Sequence, residues 1–260
     1  MTGTWLDQQW VRWLGPDLLA LTLSVGMIGA YYYHLRVRVR QDPAYSIHFV
    51  NESARRLWVE HVMANPSKDV MAVQTLRNFI MVGILMVSTA TLLIIGTLTL
   101  SGQADSIARS WHAVNYLGPP SAEVWSFKVM CLLADFLVAF FAFTMAIRLT
   151  NHVLFMINVP KELRVANEAL APEAVARRLN RAGYMMAVGI RSLFVAVPLV
   201  FWLFGPAFLV VATIGLLVAL FRLDRNQVII WSGVSAAQWQ RPHDAFARPF
   251  ATHPVSAAAP

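Results

Sequence analysis

Two ionisable residues lie far from the ends of apolar segments and are the first candidates for chemistry. Asp135 is about halfway along the apolar run 124–149, and Arg191 follows the start of another run, at Gly183, by eight residues. A lone carboxylate in hydrocarbon costs several kcal/mol unless it is neutralised or paired. Asp135 is therefore interpreted either as a proton or cation site or as half of an intramembrane polar pair with Arg191. A protonated acid bonded to a hydroxyl is the remaining alternative.

A second polar group lies where apolar runs meet basic segments. Arg148, Asn151 and His152 are three and four residues apart, which places them on one helix face. Arg77 and Asn78 open the preceding apolar run at the same depth. The five predict a pocket at the inner leaflet for an anion, a lipid headgroup or a quinone-type ring. The alternative is that the basic side chains reach the lipid phosphates.

Motifs for metal, haem or nucleophilic chemistry are missing from the sequence. It contains no His-Glu-x-x-His, no Gly-x-Ser-x-Gly and no P-loop. His34 and His152 are compatible in depth with a bis-histidine haem, but they are one such pair among seven histidines. The single cysteine, Cys131, excludes a disulfide framework and a thiolate cluster. We expect bound lipid, no catalytic or metal-binding residue, and neither haem nor quinone.

The elements that must position these residues are transmembrane helices. Of the 260 residues, 57% are hydrophobic and 13% are charged, against about 25% charged in soluble domains. This composition excludes a disordered chain, a nucleic-acid-binding protein and a typical soluble enzyme. A bilayer crossing needs roughly 20 apolar residues, and the runs 16–35, 79–100 and 124–149 satisfy that length.

The last apolar region, 183–223, is too long for one crossing. Gly205-Pro206 is a turn signal and divides it into 183–204 and 207–223. We therefore predict an all-α, polytopic transmembrane helix bundle with five crossings. Four crossings with a kinked last helix is the alternative.

Basic residues indicate the orientation of the bundle. Seven fall in residues 36–77 and five in residues 158–182, but only Arg109 falls in the intervening connection 101–122. Basic loops stay in the cytoplasm, so we expect the N-terminus outside and the C-terminus inside. The expected partners are the lipid bilayer, with anionic headgroups on the cytoplasmic side, and other membrane subunits or further copies of the chain, but no nucleic acid. The expected location is the bacterial inner membrane.

Polar segments flank the membrane part. Residues 1–15 resemble an interfacial amphipathic helix, residues 16–226 form a single transmembrane domain, and residues 227–260 are an extended tail. Cytoplasmic amphipathic helices are predicted at 46–77, with a break at Asn65-Pro66-Ser67, and at 163–181, with a possible break at Pro172.

Three sequence stretches together resemble a known family. Residues 54–78 read ARRLWVEHVMANPSKDVMAVQTLRN, residues 147–151 read IRLTN, and the run from Gly183 continues through FGP to the FRLD at 221–224. In this order and spacing they resemble DUF599, an uncharacterised family of bacterial and plant membrane proteins. The resemblance implies an integral membrane protein of four or five helices, and it implies no activity, cofactor or catalytic residue.

The expected function is therefore non-catalytic: an accessory or structural subunit of a membrane complex, or a homo-oligomer. One alternative is a small oligomeric channel or transporter for an ion, a proton or a small anion. A second is a redox or lipid-modifying enzyme that uses the region of His34, Arg148, Asn151 and His152.

Overall fold

The computed structural model describes residues 3–41, 47–102, 122–164 and 167–224, and these residues are almost entirely helical. Five helices are long and apolar enough to cross a membrane. They are α1 (Gly3–Gln41), α3 (Asp69–Gly102), α4 (Ala122–Ile157), α6 (Pro172–Trp202) and α7 (Pro206–Asp224). Two shorter helices, α2 (Ile47–Ala64) and α5 (Lys161–Arg164), lie between them in the chain. The predicted all-α bundle with five crossings is confirmed.

The turn between α6 and α7 decides the number of crossings. Helix α6 ends at Trp202, α7 begins at Pro206, and Gly205 between them has a φ of 148°. Glycine adopts this conformation at little steric cost, and proline suits the first position of a helix because it has no N–H to leave unpaired. The alternative with a single kinked last helix is therefore wrong.

Two other prolines mark helix starts. The predicted break at Asn65-Pro66-Ser67 is present: α2 ends at Ala64, and residues Pro66–Lys68 form a turn of 3-10 helix before α3. The Asn65 side chain donates to the His61 carbonyl at 2.8 Å, so it closes α2 and does not cap the next helix. Pro172 begins α6, so residues 172–181 are the first turns of a crossing helix and not a separate cytoplasmic one.

Neighbouring helices pack side by side in the order α3, α4, α6, α7, α1. Helix α1 also contacts α4 through Asp17 and Lys128. The central pair packs closely because glycine lies at its contact. A Cβ added to Gly189 of α6 would lie 2.5 Å from the Phe143 ring of α4. About 33% of the apolar windows of α4 and α6 is buried, against 11% for α1 and α3. The two central helices are therefore the core of the bundle.

One end of the bundle is covered by α2, and we call it the basic end. Here Val59 and Val62 of α2 pack with Leu76 of α3, Val153 of α4 and Leu179 of α6. The opposite end, where α3 and α6 finish and α4 and α7 start, is called the far end. The predicted cytoplasmic helix within 46–77 thus packs against the bundle.

Arg55 fixes α2 to α6. Its Nε donates to Asn180 Oδ1 at 2.7 Å, and its guanidinium occupies the space that a side chain at Gly183 would need. Burial lowers the pKa of Arg55, and the nearby carboxylate of Glu52 partly opposes that shift. The contact holds α2 at a fixed position on the bundle.

The structure describes only part of the predicted terminal segments. From Gly3, the predicted interfacial segment is continuous with α1 through Pro16. Residues 103–121, which belong to the connection predicted to be external, and the predicted tail at 227–260 lie outside the described residues.

Candidate functional site

A nearly buried ion pair and one hydrogen bond connect three helices at the far end. Lys128 Nζ of α4 lies 2.8 Å from Asp17 Oδ1 of α1, and Trp202 Nε1 of α6 donates to the same oxygen at 2.8 Å. The ammonium also lies 5.5 Å from the centre of the indole ring. The two charged side chains are only 7% and 15% exposed. We call these three residues the far-end cluster; each charge in it is neutralised by a buried partner.

A larger polar cluster lies towards the basic end, around Asp224 at the end of α7. Arg191 Nη2 of α6 donates to Asp224 Oδ1 at 2.8 Å, and the Tyr31 hydroxyl of α1 donates to Oδ2 at 2.9 Å. His48 Nε2 of α2 lies 2.6 Å from Arg191 Nη2 and 3.5 Å from Asp224 Oδ1. The Asp224 side chain is 7% exposed and that of His48 is 45% exposed. These four residues, the basic-end cluster, connect a buried carboxylate to the surface through an imidazole.

A third polar group lies between the two clusters and is incompletely bonded. The Ser192 hydroxyl of α6 lies 2.7 Å from Asp135 Oδ1 of α4 and 2.8 Å from the Asp135 carbonyl. Asp135 Oδ2 is buried and has no hydrogen-bond partner, and Ser24 Oγ of α1 is buried in the same condition. We call Asp135, Ser192 and Ser24 the central group.

An apolar groove of about 400 Å³ runs between α6 and α7, and all its lining side chains are apolar. Phe201 and Phe208 line it near the far end, and Ala212, Gly215 and Ala219 of α7 line it further towards the basic end. A Cβ added to Gly215 would meet nothing within 4 Å. The groove therefore offers shape and apolar contact without polar chemistry.

The family model for DUF599, a protein of unknown function, matches residues 19–229. The chain belongs to the DUF599 family. The match confirms the resemblance seen in the sequence and includes all four residues of the basic-end cluster and all three of the central group. It begins after Asp17 of the far-end cluster. No curated protein and no solved structure matches this DUF599 chain.

The predicted pair of Asp135 with Arg191 is not formed in this DUF599 protein. Arg191 binds Asp224, whereas Asp135 receives its hydrogen bond from Ser192. Successive residues of an α-helix point about 100° apart, so Ser192 faces α4 while Arg191 faces α1 and α7. The contact of Asp135 fits the alternative of an acid bonded to a hydroxyl.

The predicted inner-leaflet set lies on exposed surfaces. Arg77 and Asn78 of α3 and Arg148, Asn151 and His152 of α4 are all exposed. Neighbouring positions such as Leu76, Thr150 and Val153 take the buried faces instead. Among the residues that the structure describes, the five make no side-chain hydrogen bond with one another, and their placement fits basic groups that reach lipid phosphates.

The sequence prediction missed six of the seven residues of the two clusters: Asp17, Lys128, Trp202, Tyr31, His48 and Asp224. One signal could have found part of the set. Asp17, Ser24 and Tyr31 are spaced by seven residues on α1, and a seven-residue step returns almost to the same helix face. Within the described ranges of this DUF599 chain, no three His, Cys, Asp or Glu side chains are arranged to hold a metal ion.

Proposed function

We propose that this protein is a non-catalytic subunit of the bacterial inner membrane, assembled with copies of itself or with other membrane subunits. Its basic end faces the cytoplasm in this proposal, since the basic residues of 36–77 and 158–182 belong to that end. The exposed Arg77 and Arg148 then meet anionic headgroups.

The groove between α6 and α7 is the observation that supports assembly. In lipid, helices associate where small residues let them approach closely, because the apolar solvent supplies no hydrophobic driving force. Ala212, Gly215 and Ala219 supply such residues at spacings of three and four, and Phe201 and Phe208 form walls beside them. A transmembrane helix of a second subunit fits the chemistry and the direction of this groove.

The use of the charged residues at membrane depth supports a non-catalytic role. Lys128 and Asp17 neutralise each other, as do Arg191 and Asp224. These pairs join helices of one chain, so their charges hold the bundle together.

Substitution of Gly215 tests the assembly. Gly215→Leu fills the groove without a clash inside the chain, since a Cβ there meets nothing within 4 Å. We expect self-association to weaken about tenfold, in line with the energy of small-residue helix contacts. The measurement is stepwise photobleaching of fluorescent protein in liposomes across a range of protein-to-lipid ratios.

Gly96→Leu is the matched control. Gly96 is also an exposed glycine of a crossing helix, and a Cβ there meets nothing within 4 Å. It should leave association unchanged. Two results together would refute assembly through this groove. One is a wild-type protein that is monomeric at every protein-to-lipid ratio. The other is a complex extracted from its own membrane whose native mass is the same for wild type and Gly215→Leu.

A small channel or transporter for an ion, a proton or a small anion is the second candidate function. The observation that favours it is the unpartnered Oδ2 of Asp135 at membrane depth. Flux across proteoliposomes that contain wild-type protein or Asp135→Asn tests it. Equal flux in the two preparations and in empty liposomes would remove this candidate.

A further inference from the structure

The two end clusters fix which way α1 faces along its length. Asp17 bonds Lys128 and Trp202, and Tyr31 bonds Asp224, so both residues point into the bundle. Ser24 lies seven residues from each of them. Because a seven-residue step drifts by only about 20°, Ser24 points into the bundle too. Its 3% exposure agrees with that direction.

The same step places Asp135 level with Ser24. Asp135 follows Lys128 by seven residues on α4, as Ser24 follows Asp17 on α1. Lys128 and Asp17 are in contact, and seven residues of helix rise about 10 Å. Both helices therefore bring a polar side chain to about the same level, roughly 10 Å inward from the far-end cluster. Ser192 of α6 bonds Asp135 at this level, whereas Ser24 Oγ has no hydrogen-bond partner.

Two oxygen atoms of this central group lack the partners that buried polar atoms need. Asp135 Oδ1 receives the Ser192 hydroxyl, but Asp135 Oδ2 and Ser24 Oγ have none. Buried polar groups in proteins are nearly always hydrogen-bonded. A contact that served only to join α4 to α6 would need one oxygen at this position, and Asp135 supplies a second.

The charges around Asp135 are already committed elsewhere. Lys128 is paired with Asp17, and Arg191 is paired with Asp224. On the neighbouring helices, residues 79–100 of α3 and 206–221 of α7 contain no ionisable side chain. The remaining titratable groups nearby are Cys131, one turn away on α4, and Tyr31, which is bonded to Asp224. Within the described helices, no cationic side chain forms an ion pair with this carboxylate.

We infer that Asp135 is a proton-binding site, which takes up a proton on its unpartnered Oδ2 while Ser192 holds Oδ1. The ligand is a single proton, and binding it converts the carboxylate to the neutral acid with no other change in bonding. The inference stands on these contacts and holds whether or not the protein oligomerises.

Dicyclohexylcarbodiimide tests the site, because this apolar reagent forms a stable adduct with protonated carboxyls in apolar surroundings. Full-length protein in liposomes is treated across a pH series, and the adduct is located by peptide mass spectrometry. We expect one adduct within the bundle, on Asp135, which forms more slowly as the pH rises. Asp17 and Asp224 are internal controls, since each is bound to a cation and should stay unmodified.

Infrared spectroscopy supplies a second measurement that does not depend on access of the reagent. The difference spectrum between wild type and Asp135→Asn should contain the C=O stretch of a protonated carboxyl, which disappears at high pH. Absence of that band at every pH overturns the inference. So does labelling that is independent of pH, and protection of Asp135 by sodium ions at constant pH would identify a cation site in place of a proton site.

Discussion

The far-end and basic-end clusters use the same kind of ion pair in opposite ways. In the far-end cluster Lys128 and Asp17 are both nearly buried. In the basic-end cluster Asp224 is equally buried, but Arg191 is 25% exposed and His48 is 45% exposed. A charge that is shielded from water depends on its ion-pair partner, whereas a charge in contact with water can exchange partners. The far-end cluster is thus a contact between helices that excludes water, and the basic-end cluster is a contact between helices that water can enter.

Removing the far-end cation should have the largest effect. Lys128→Met leaves Asp17 buried without a countercharge, and we expect the free energy of unfolding to fall by about 3 kcal/mol or more. The measurement is equilibrium unfolding in mixed detergent micelles. The double variant Asp17→Asn with Lys128→Met should recover most of the loss, since it removes both charges. A loss below about 1 kcal/mol in the single variant would mean that water reaches the ion pair of Lys128 with Asp17.

Removing the basic-end cation should have a smaller effect. Arg191→Met takes one hydrogen bond from Asp224, but the Tyr31 hydroxyl and His48 remain beside the carboxylate. We expect a loss of about 2 kcal/mol, typical of a hydrogen bond to a charged group, in the same unfolding experiment. Arg222→Met is the control, because Arg222 is an exposed residue of the same last turn of α7. Equal losses for Arg191→Met and Lys128→Met would contradict the comparison.

The smallest expected effect is a difference between the two clusters in how their contribution to the unfolding free energy responds to salt. Raising the ionic strength from 0.01 M to 1 M shortens the Debye length from about 30 Å to about 3 Å, and buried pairs are screened much less than exposed ones. At the higher ionic strength, the loss of unfolding free energy in Arg191→Met should therefore be smaller by less than about 1 kcal/mol. The loss in Lys128→Met should not change. Repeating both unfolding experiments at the two ionic strengths tests this, and the same salt response in both variants would show that water reaches them equally.

The sequence predicted those features that depend on one segment alone. Apolar length gave the five crossings, and Gly205-Pro206 gave the last turn, because the positive φ of Gly205 and the missing N–H of Pro206 are properties of those residues themselves. Pro66 and Pro172 likewise marked the starts of helical segments.

The choice of partners was beyond such reasoning, because it depends on how each helix is rotated. Arg191 and Ser192 are adjacent in sequence, and a turn of about 100° gives one to Asp224 and the other to Asp135. On α4, a rotation of the same size separates the buried Thr150 from the exposed Asn151, and Arg148 lies on the exposed surface as well. The spacing of seven among Asp17, Ser24 and Tyr31 is the signal from which their common direction could have been predicted.

The three-residue turn around Gly205 also bears on how the last two helices reach the membrane. Because so little chain separates α6 from α7, we expect the two helices to enter the bilayer as a pair. Arg191 is synthesised before its partner Asp224, which is the last residue of α7, so the cation has no countercharge from Asp224 until α7 has been made. Because the turn is short, this interval should last only as long as the synthesis of about one further crossing. The pairing of Asp224 with Arg191 should then complete the bundle.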